Sequence, residues 1–274
     1  MGKLVLGTVQ FGLQYGVNSA GRPSEDAVRE ILSAAWAGGI DTLDTSSAYG
    51  EAEEVLGRCS RDTFKIVSKY PQGKVPVRAC FEQSLRRLDT DHLYGYLLHH
   101  FSVFKENPGV WEEFMTLKAE GKVQKIGFSL YDSQELEMIM EAGVPFDLLQ
   151  FPFNILDRKF LPYMPQLHQM GVEIHVRSTF LQGLFFMDRD ALPQKLQPLR
   201  RYLRQIDDYA HETGLSMAEV ALNANLQNPY IDGVLIGVDN LAQLNSNLSA
   251  IKDCPVSLDI DVKEQELLNP VNWK

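Results

Sequence analysis

The chain has 274 residues, 45% of them hydrophobic and 23% charged, which is the balance of a globular protein with a sizeable core. Its formal net charge of -10 excludes the strongly basic surface that binds nucleic acid or an anionic membrane. Three cysteines without a CxxC pair indicate free thiols in a reducing compartment, and no run approaches the about 18 apolar residues of a membrane span. We therefore expect a soluble cytoplasmic protein.

Short runs rich in β-forming residues recur along the chain, and each ends in small or polar residues before an amphipathic helical stretch. In the first such stretch, "SEDAVREILSAAWAGG", Ser24 and Asp26 suit the first helical turn, and Gly38 or Gly39 ends the helix. The later stretches include "VPVRACFEQSLRRL", "VWEEFMTLKAEGK" and "SQELEMIMEAG". The predicted strands are 3–8, 41–46, 64–69, 93–99, 124–129, 147–152, 172–178 and 233–238.

Strands that alternate with helices predict a parallel sheet, because parallel neighbours need a crossover connection. No linker or low-complexity tract divides the chain, so we expect an α/β fold with one domain over residues 1–274, a (β/α)8 TIM barrel. A doubly wound open sheet is the competing architecture. That fold normally carries G-x-G-x-x-G after its first strand, and "GTVQFGLQYG" does not match this pattern.

Four ionisable side chains stand at or just beyond the ends of three neighbouring predicted strands. Asp44 lies at the end of the second strand and Tyr49 in the loop after it. Lys69 ends the third strand, and His99 ends the fourth. Each has a structural explanation when taken alone, such as capping, packing or a solvated charge. In a barrel, however, the C-terminal strand ends meet at one mouth, where a buried lysine needs a partner such as Asp44.

The chemistry of such a cluster is proton donation to a carbonyl oxygen. A tyrosine has a pKa near 10, and a nearby ammonium such as that of Lys69 is expected to lower it. Asp44 keeps the lysine charged and in place, and His99 orients the carbonyl by donating a hydrogen bond. The cluster lacks a nucleophile with an evident base, so acyl transfer fits poorly.

A series of motifs resembles the aldo-keto reductase superfamily, in the family's order and over roughly residues 4–250. The motifs are "LDTSSAYGEAEEVLG", "IVSKY", "YLLHH", "KIGFSLYD", "LLQFPFNILDR", "STFLQGLF" and "GVDNLAQLNSNL". The resemblance implies a (β/α)8 barrel that reduces carbonyls with a nicotinamide cofactor. It also implies a catalytic tetrad in which Tyr49 is the acid, Lys69 and Asp44 tune it, and His99 positions the carbonyl. His100 has no assigned role.

The same resemblance implies where the dinucleotide binds. Ser129 and Gln150 match the residues that bind the nicotinamide carboxamide, although Leu130 stands where the family usually has asparagine. Arg177 replaces the usual stacking aromatic, and two interpretations stay open: stacking on the nicotinamide or pairing with an acid at the rim. The loop with Gly183 fits the pyrophosphate, since glycine allows close backbone approach. The complete set of expected cofactor residues is Gly7, Thr8, Ser129, Gln150, Arg177, Ser178, Leu181, Gly183, Gly237, Val238, Asp239, Asn240, Gln243 and Asn247.

The choice between NADPH and NADH depends on "GVDNLAQLNSNL". Family members that prefer NADPH place lysine or arginine here, and this stretch has Asp239 with no cation before Lys252. A phosphate dianion beside Asp239 without a counter-charge is unfavourable, which favours NADH. The resemblance to the family favours NADP(H), so the sequence does not decide between the two cofactors. The same stretch also has the pattern of an ordinary amphipathic helix capped by Asn240.

The expected substrate is a small-molecule aldehyde or ketone, with sugars among the candidates, and no feature of the sequence selects one of them. The expected lining residues are Phe11, Tyr15, Phe101 and Phe153, with some of the mouth aromatics expected to pack at the barrel end. No metal site is expected, because His99 and His100 have no further ligands at strand ends. No nucleic acid or membrane partner is expected either.

Two alternatives to a carbonyl reductase remain. One is an NAD-dependent sugar or polyol dehydrogenase, because the tetrad works in either direction by microscopic reversibility. The other is a regulatory or scaffold protein that binds the dinucleotide on the same fold. The complete tetrad and the lack of a partner-binding extension weigh against this second alternative.

Overall fold

The computed structural model of the chain describes residues 3–15, 21–60, 63–73 and 75–273. Eight parallel strands form a closed barrel in which each pairs with the next and β8 pairs with β1. The predicted (β/α)8 barrel is therefore confirmed, and an open doubly wound sheet is excluded by this closure. The strands are β1 (Leu4–Gly7), β2 (Thr42–Asp44), β3 (Lys65–Tyr70), β4 (Leu93–Leu98), β5 (Val123–Ser129), β6 (Leu148–Pro152), β7 (Glu173–Arg177) and β8 (Gly233–Gly237).

Helices follow the strands and surround the barrel. The first long helix begins after Ser24, whose hydroxyl accepts the backbone N–H of Ala27, and ends at Gly38, as its sequence predicts. In the described residues the helices are α1 (Val9–Gly12), α2 (Glu25–Ala37), α3 (Ala52–Cys59), α4 (Val77–Leu88), α5 (Phe101–Glu106), α6 (Val110–Ala119), α7 (Ser133–Ala142), α8 (Met164–Gln169), α9 (Arg200–Thr213), α10 (Met217–Leu226) and α11 (Leu241–Ser249). In the portions described here, none of them combines the length and apolar character needed to cross a membrane.

The main hydrophobic core lies between the strands and the surrounding helices. It includes aromatic side chains such as Phe81, Trp111 and Phe128, which stack or meet edge to face with their neighbours. A second apolar cluster joins the loop after β7 to α9, α10 and the segment after α11, which reaches it through Ile260 and Leu268. The loop after β7 is therefore packed in a hydrophobic cluster that is separate from the main core.

The barrel interior is layered by strand alternation. Val67, Leu97 and Leu148 form a small apolar cluster that is separate from the core outside the barrel. Side chains two positions further along a strand point to the same face. Lys69 and Gln150 therefore also point into the barrel, one layer closer to its C-terminal end. The alternation therefore places these polar side chains next to the apolar cluster, on its C-terminal side.

Candidate active site

Lys69 and Asp44 form a buried ion pair at the C-terminal ends of β3 and β2. Lys69 Nζ lies 2.6 Å from Asp44 Oδ1 and also donates to the carbonyl oxygen of Thr45 at 2.8 Å. The lysine side chain is 0% exposed and the aspartate side chain 3%. A charge removed from water to this extent is stable only when it is paired and hydrogen-bonded. The two opposite charges compensate each other, as their adjacent strand ends predict.

Tyr49 and His99 lie against this pair. The Tyr49 ring centroid is 5.1 Å from Lys69 Nζ, and the rings of Tyr49 and His99 meet edge to face at a centroid distance of 5.7 Å. All four predicted side chains thus converge at one end of the barrel. Within the described part of the chain, no hydrogen bond engages the Tyr49 hydroxyl, so its proton is available to an oxygen atom placed in the mouth.

Burial sets the protonation states of the cluster. It raises the pKa of Tyr49 well above its usual value, and the Asp44 carboxylate raises it further. The expectation of a lowered Tyr49 pKa is therefore wrong in this structure, because desolvation and the Asp44 carboxylate both raise it. Burial lowers the pKa of Lys69, and Asp44 opposes that shift. Tyr49 consequently keeps its proton at neutral pH, as a proton donor must.

Gln150 contributes a contact that the sequence did not indicate. Its Nε2 donates to Asp44 Oδ2 at 2.7 Å, and the side chain is almost completely buried. Asp44 therefore receives hydrogen bonds on both carboxylate oxygens, from Lys69 and from Gln150. Gln150 pairs along the sheet with Ser129 of β5, so the two residues expected at the nicotinamide carboxamide are neighbours.

His99 is held on both sides. Its Nδ1 lies 3.1 Å from the hydroxyl oxygen of Ser46, and its ring stacks on His100 at a centroid distance of 4.8 Å. Burial lowers the pKa of His99 to about 2, and the charge of Lys69 contributes to this shift. His99 is consequently a neutral imidazole at physiological pH.

Close backbone packing positions the loop that carries Tyr49. A Cβ atom on Gly12 of α1 would lie 1.8 Å from the carbonyl oxygen of Tyr49 and 2.5 Å from the backbone nitrogen of Ala52. Both neighbours are backbone atoms, which cannot rotate away as a side chain can. Only glycine at position 12 therefore permits this contact between α1 and the Tyr49 loop.

We expect Gly12→Ala to lower the free energy of unfolding by about 1–3 kcal/mol, because the methyl group forces the loop away from α1. Urea denaturation measures this change. Gly109→Ala is the control, since a Cβ atom there would have Asn107 Oδ1 as its nearest neighbour at 3.2 Å. If Gly12→Ala unfolds at the same urea concentration as the control, the close contact of α1 with the loop is absent.

Arg177 lies at the end of β7 and turns towards the loop after β5. Its guanidinium carbon is 4.1 Å from the centroid of the Tyr131 ring, and it donates to the carbonyl oxygen of Leu130 at 3.0 Å. Among the residues described, no carboxylate forms an ion pair with it, so of the two interpretations left open, pairing with a rim acid is not seen. The charge of Arg177 nevertheless contributes to the lowered pKa values of His99 and His100.

The loop after β7 has an unusual backbone. Ser178, Leu181 and Gln182 have φ angles of +66°, +45° and +51°, and Gly183 follows at +91°. Non-glycine residues in this region are strained, and such strain clusters at ligand-binding loops. Successive residues of this kind can turn their backbone N–H groups towards an anion. Gly183 is therefore required by its conformation, in addition to the close approach expected from the sequence.

The end of β8 leads directly into α11. Asn240 caps this helix by accepting the backbone N–H of Gln243 at 2.9 Å, and Gln243 in turn accepts the backbone N–H of Asp239 at 2.7 Å. The predicted amphipathic helix with an Asn240 cap is confirmed. Val238 is buried, and Asn247 lies half-buried on α11.

The end of β1 faces β8 across the barrel seam. Thr8 donates its backbone N–H and its hydroxyl to the carbonyl oxygen of Asp44, so its side chain supports β2. Gly7 pairs with Gly237, and a Cβ atom on Gly237 would lie 2.5 Å from Gln10 Nε2. The Oε1 atom of Gln10 is buried without a hydrogen bond from any described residue. Gln10 was missed by the sequence reasoning, because no charge or motif marks it.

Comparison with known proteins identifies the family. The sequence profile of the Aldo/keto reductase family matches residues 3–260. The chain belongs to the aldo/keto reductase family. It is an oxidoreductase of that family, whose members use nicotinamide cofactors and act on small-molecule carbonyl compounds.

Individual aldo/keto reductase relatives are distant. The chain is 26% identical to L-galactose dehydrogenase of Arabidopsis thaliana, over 98% of this chain and 90% of the relative. It is 25% identical to L-glyceraldehyde 3-phosphate reductase of Escherichia coli K12, with 85% and 81% covered. Among solved structures, the holo form of aldo-keto reductase AKR11C1 from Bacillus halodurans superposes with a TM-score of 0.73, at 22% identity, covering 97% of this chain and 90% of that one.

The aromatic residues expected to line the aldo/keto reductase mouth are mostly buried. Phe11 is 1% exposed and belongs to the main core, so the expectation that it lines the mouth is wrong. Phe101 and Phe153 pack in the same core. Tyr15 alone of the four is exposed, and its hydroxyl accepts a hydrogen bond from Gln182 Nε2 at 3.0 Å. Three of the four expected lining residues are therefore part of the main hydrophobic core.

Proposed function

We propose that the chain is a nicotinamide-dependent oxidoreductase that reduces an aldehyde or ketone of a small molecule, such as a sugar, to an alcohol. The observation that carries this proposal is the convergence of Tyr49 and His99 on the buried Lys69–Asp44 pair. A phenol that keeps its proton and a neutral imidazole suit one carbonyl oxygen, which becomes an alkoxide as it is reduced. The family match over residues 3–260 supports one barrel as the working unit.

The side chains have distinct roles in the proposed reaction. Tyr49 gives its hydroxyl proton to the carbonyl oxygen, and His99 donates a hydrogen bond that orients it. Lys69 stabilises the phenolate left after proton transfer, while Asp44 keeps the ammonium buried and in place. A bound reduced nicotinamide supplies the hydride.

The structure offers donors and acceptors that fit a dinucleotide at this mouth. The buried Oε1 of Gln10 has no bond from any described residue, and the strained residues from Leu181 to Gly183 form a loop suited to a phosphate group. We propose that these groups hold the cofactor together with Ser129, Gln150 and Arg177. Thr8 is omitted from the polar contacts, because its hydroxyl is committed to Asp44. The proposed set also keeps Gly7, Ser178, Gly237, Val238, Asp239, Asn240, Gln243 and Asn247.

The test is titration of the purified protein with NADH and, separately, with NADPH, followed by nicotinamide fluorescence. We expect saturable binding of at least one of them at micromolar concentrations. Absence of binding at millimolar concentrations of both would contradict the proposal and leave only the family's fold in place.

Asp239 is expected to act against NADPH, because its carboxylate lies on the loop that leads into α11 and repels a 2′-phosphate. We expect Asp239→Asn to raise the affinity for NADPH relative to NADH by a factor of about 5 to 10, the effect of one half-exposed charge at short range. The variant keeps Asn240, which caps α11. A lysine at position 240 would remove this cap and cost about 1 kcal/mol of helix stability. Asp253→Asn, beyond the far end of α11, removes the same charge elsewhere and is the control. An unchanged affinity ratio would place the adenosine phosphate away from this loop.

A second candidate function is an NAD-dependent sugar dehydrogenase. The likeness to L-galactose dehydrogenase over nearly the whole chain favours it. The proposed chemistry is the same in reverse, with phenolate Tyr49 accepting the alcohol proton. Comparing the rate of NADH formation from sugar lactols with the rate of NADH consumption by open-chain aldehydes separates the two directions.

A further inference from the structure

Ser46 lies two residues beyond Asp44 and touches both the Tyr49 loop and His99. Its side chain is fully buried. Its hydroxyl oxygen accepts the backbone N–H of Ala48 at 3.1 Å and lies 3.1 Å from His99 Nδ1. These are its only hydrogen-bond partners in the described chain.

The partners of Ser46 determine which nitrogen of His99 carries the proton. His99 is a neutral imidazole, so one ring nitrogen is a donor and the other an acceptor. If Nδ1 carried the hydrogen, the Ser46 oxygen would accept two hydrogen bonds, and its own hydroxyl hydrogen would have no acceptor in a buried site. Such an unsatisfied donor costs about 1–3 kcal/mol. If Nδ1 is the acceptor, every group at this contact is satisfied.

We propose that Ser46 is a positioning residue that holds His99 in the tautomer with its hydrogen on Nε2. Nδ1 is occupied by Ser46, so Nε2 on the opposite side of the ring is left for a ligand, and no described residue accepts a hydrogen bond from it. His99 retains 8% exposure at the mouth. The Nε2–H donor is then ready before a carbonyl oxygen arrives, and the reaction does not have to wait for the ring to change tautomer.

The consequence for catalysis rests on the proposed function, whereas the tautomer is a property of the protein alone. An imidazole in the wrong tautomer presents a lone pair to the carbonyl oxygen and repels it. Loss of Ser46 therefore lowers the fraction of molecules with a competent donor. Turnover falls with that fraction, while binding of the dinucleotide does not require the Nε2–H group.

The experiment uses the full chain labelled with 15N-histidine. Two-bond 1H–15N NMR spectra distinguish Nδ1–H from Nε2–H, and the His99 signals are assigned with His99→Asn. We expect Nε2–H in the wild-type protein and a substantial Nδ1–H population in Ser46→Ala. With substrate, kcat is expected to fall about tenfold, with an unchanged Kd for the dinucleotide.

Two further variants separate the tautomer from a general loosening of the loop. Ser47→Ala removes a hydroxyl from the same loop, one that donates to the carbonyl oxygen of Lys69 at 3.1 Å, and is expected to keep Nε2–H on His99. Ser46→Thr retains the hydroxyl and is expected to restore the wild-type tautomer.

Two results would overturn the proposal: Nδ1–H on His99 in the wild-type protein, or Nε2–H unchanged in Ser46→Ala. Failure of the protein to bind either dinucleotide would instead contradict the proposed function. The NMR result would stand in that case, since it needs no ligand.

Discussion

Tyr49→Phe is expected to lower kcat for carbonyl reduction by about 10²- to 10⁴-fold, the usual contribution of one general acid. The substitution removes only the hydroxyl group, so the ring keeps its edge contact with His99 and its position beside Lys69. Neither neighbour replaces it as an acid. His99 is a neutral imidazole, and the Lys69 proton is committed to Asp44 and Thr45. The measurement is single-turnover oxidation of the bound cofactor after mixing with excess carbonyl substrate.

Dinucleotide affinity provides the matched readout for this variant. We expect the Kd to change by less than about twofold, because the lost hydroxyl contacts the carbonyl oxygen and leaves the cofactor residues in place. Tyr163→Phe, which loses a hydroxyl bonded to Glu137 on the helical surface, is the control for removal of a phenol oxygen. Retention of a tenth or more of wild-type turnover by Tyr49→Phe would mean that another group delivers the proton.

Much of this arrangement was predictable from strand periodicity. An apolar strand that ends in a lysine, next to one that ends in an aspartate, places both charges at the same edge of a parallel sheet. Lys69 follows Val67 by two residues, so the side chain that continues the barrel interior had to be the lysine. Burial of an ammonium then demands a carboxylate, and Asp44 is supplied by the neighbouring strand.

The contacts missed by the sequence reasoning depend on distances that no local pattern encodes. Gln150 reaches Asp44 across the barrel from 106 positions away along the chain, so its contact depends on barrel closure. Arg177 stacks on Tyr131 rather than pairing with an acid, because its guanidinium is turned towards the loop after β5. The pKa of Tyr49 was expected to be lowered, and it is raised. The sequence indicates which charges lie near this side chain, but it does not indicate how completely the side chain is removed from water.

Lys69→Met is expected to lower the free energy of unfolding by about 3–5 kcal/mol, in addition to removing most turnover. Methionine fills a similar volume, so the loss arises from the charge that stays behind. Asp44 would remain buried as a carboxylate with a hydrogen bond from Gln150 but without its ammonium partner. Removing one partner of a buried ion pair destabilises a protein much more than replacing both partners with uncharged residues. Urea denaturation of wild type and variant measures the difference.

The double variant Lys69→Met with Asp44→Asn separates stability from catalysis. Asparagine can still accept the hydrogen bond of Gln150, and no uncompensated charge remains in the barrel. We expect unfolding free energy to recover by about 2 kcal/mol or more relative to Lys69→Met alone, which is a coupling of the size found between contacting residues. Turnover should stay low in the double variant, because no ammonium remains beside Tyr49 to stabilise its phenolate. Recovery of turnover together with stability would show that the pair acts only as a structural support. No recovery of stability would show that the Lys69 side chain contributes through packing, and that the charge of Asp44 is relieved in another way.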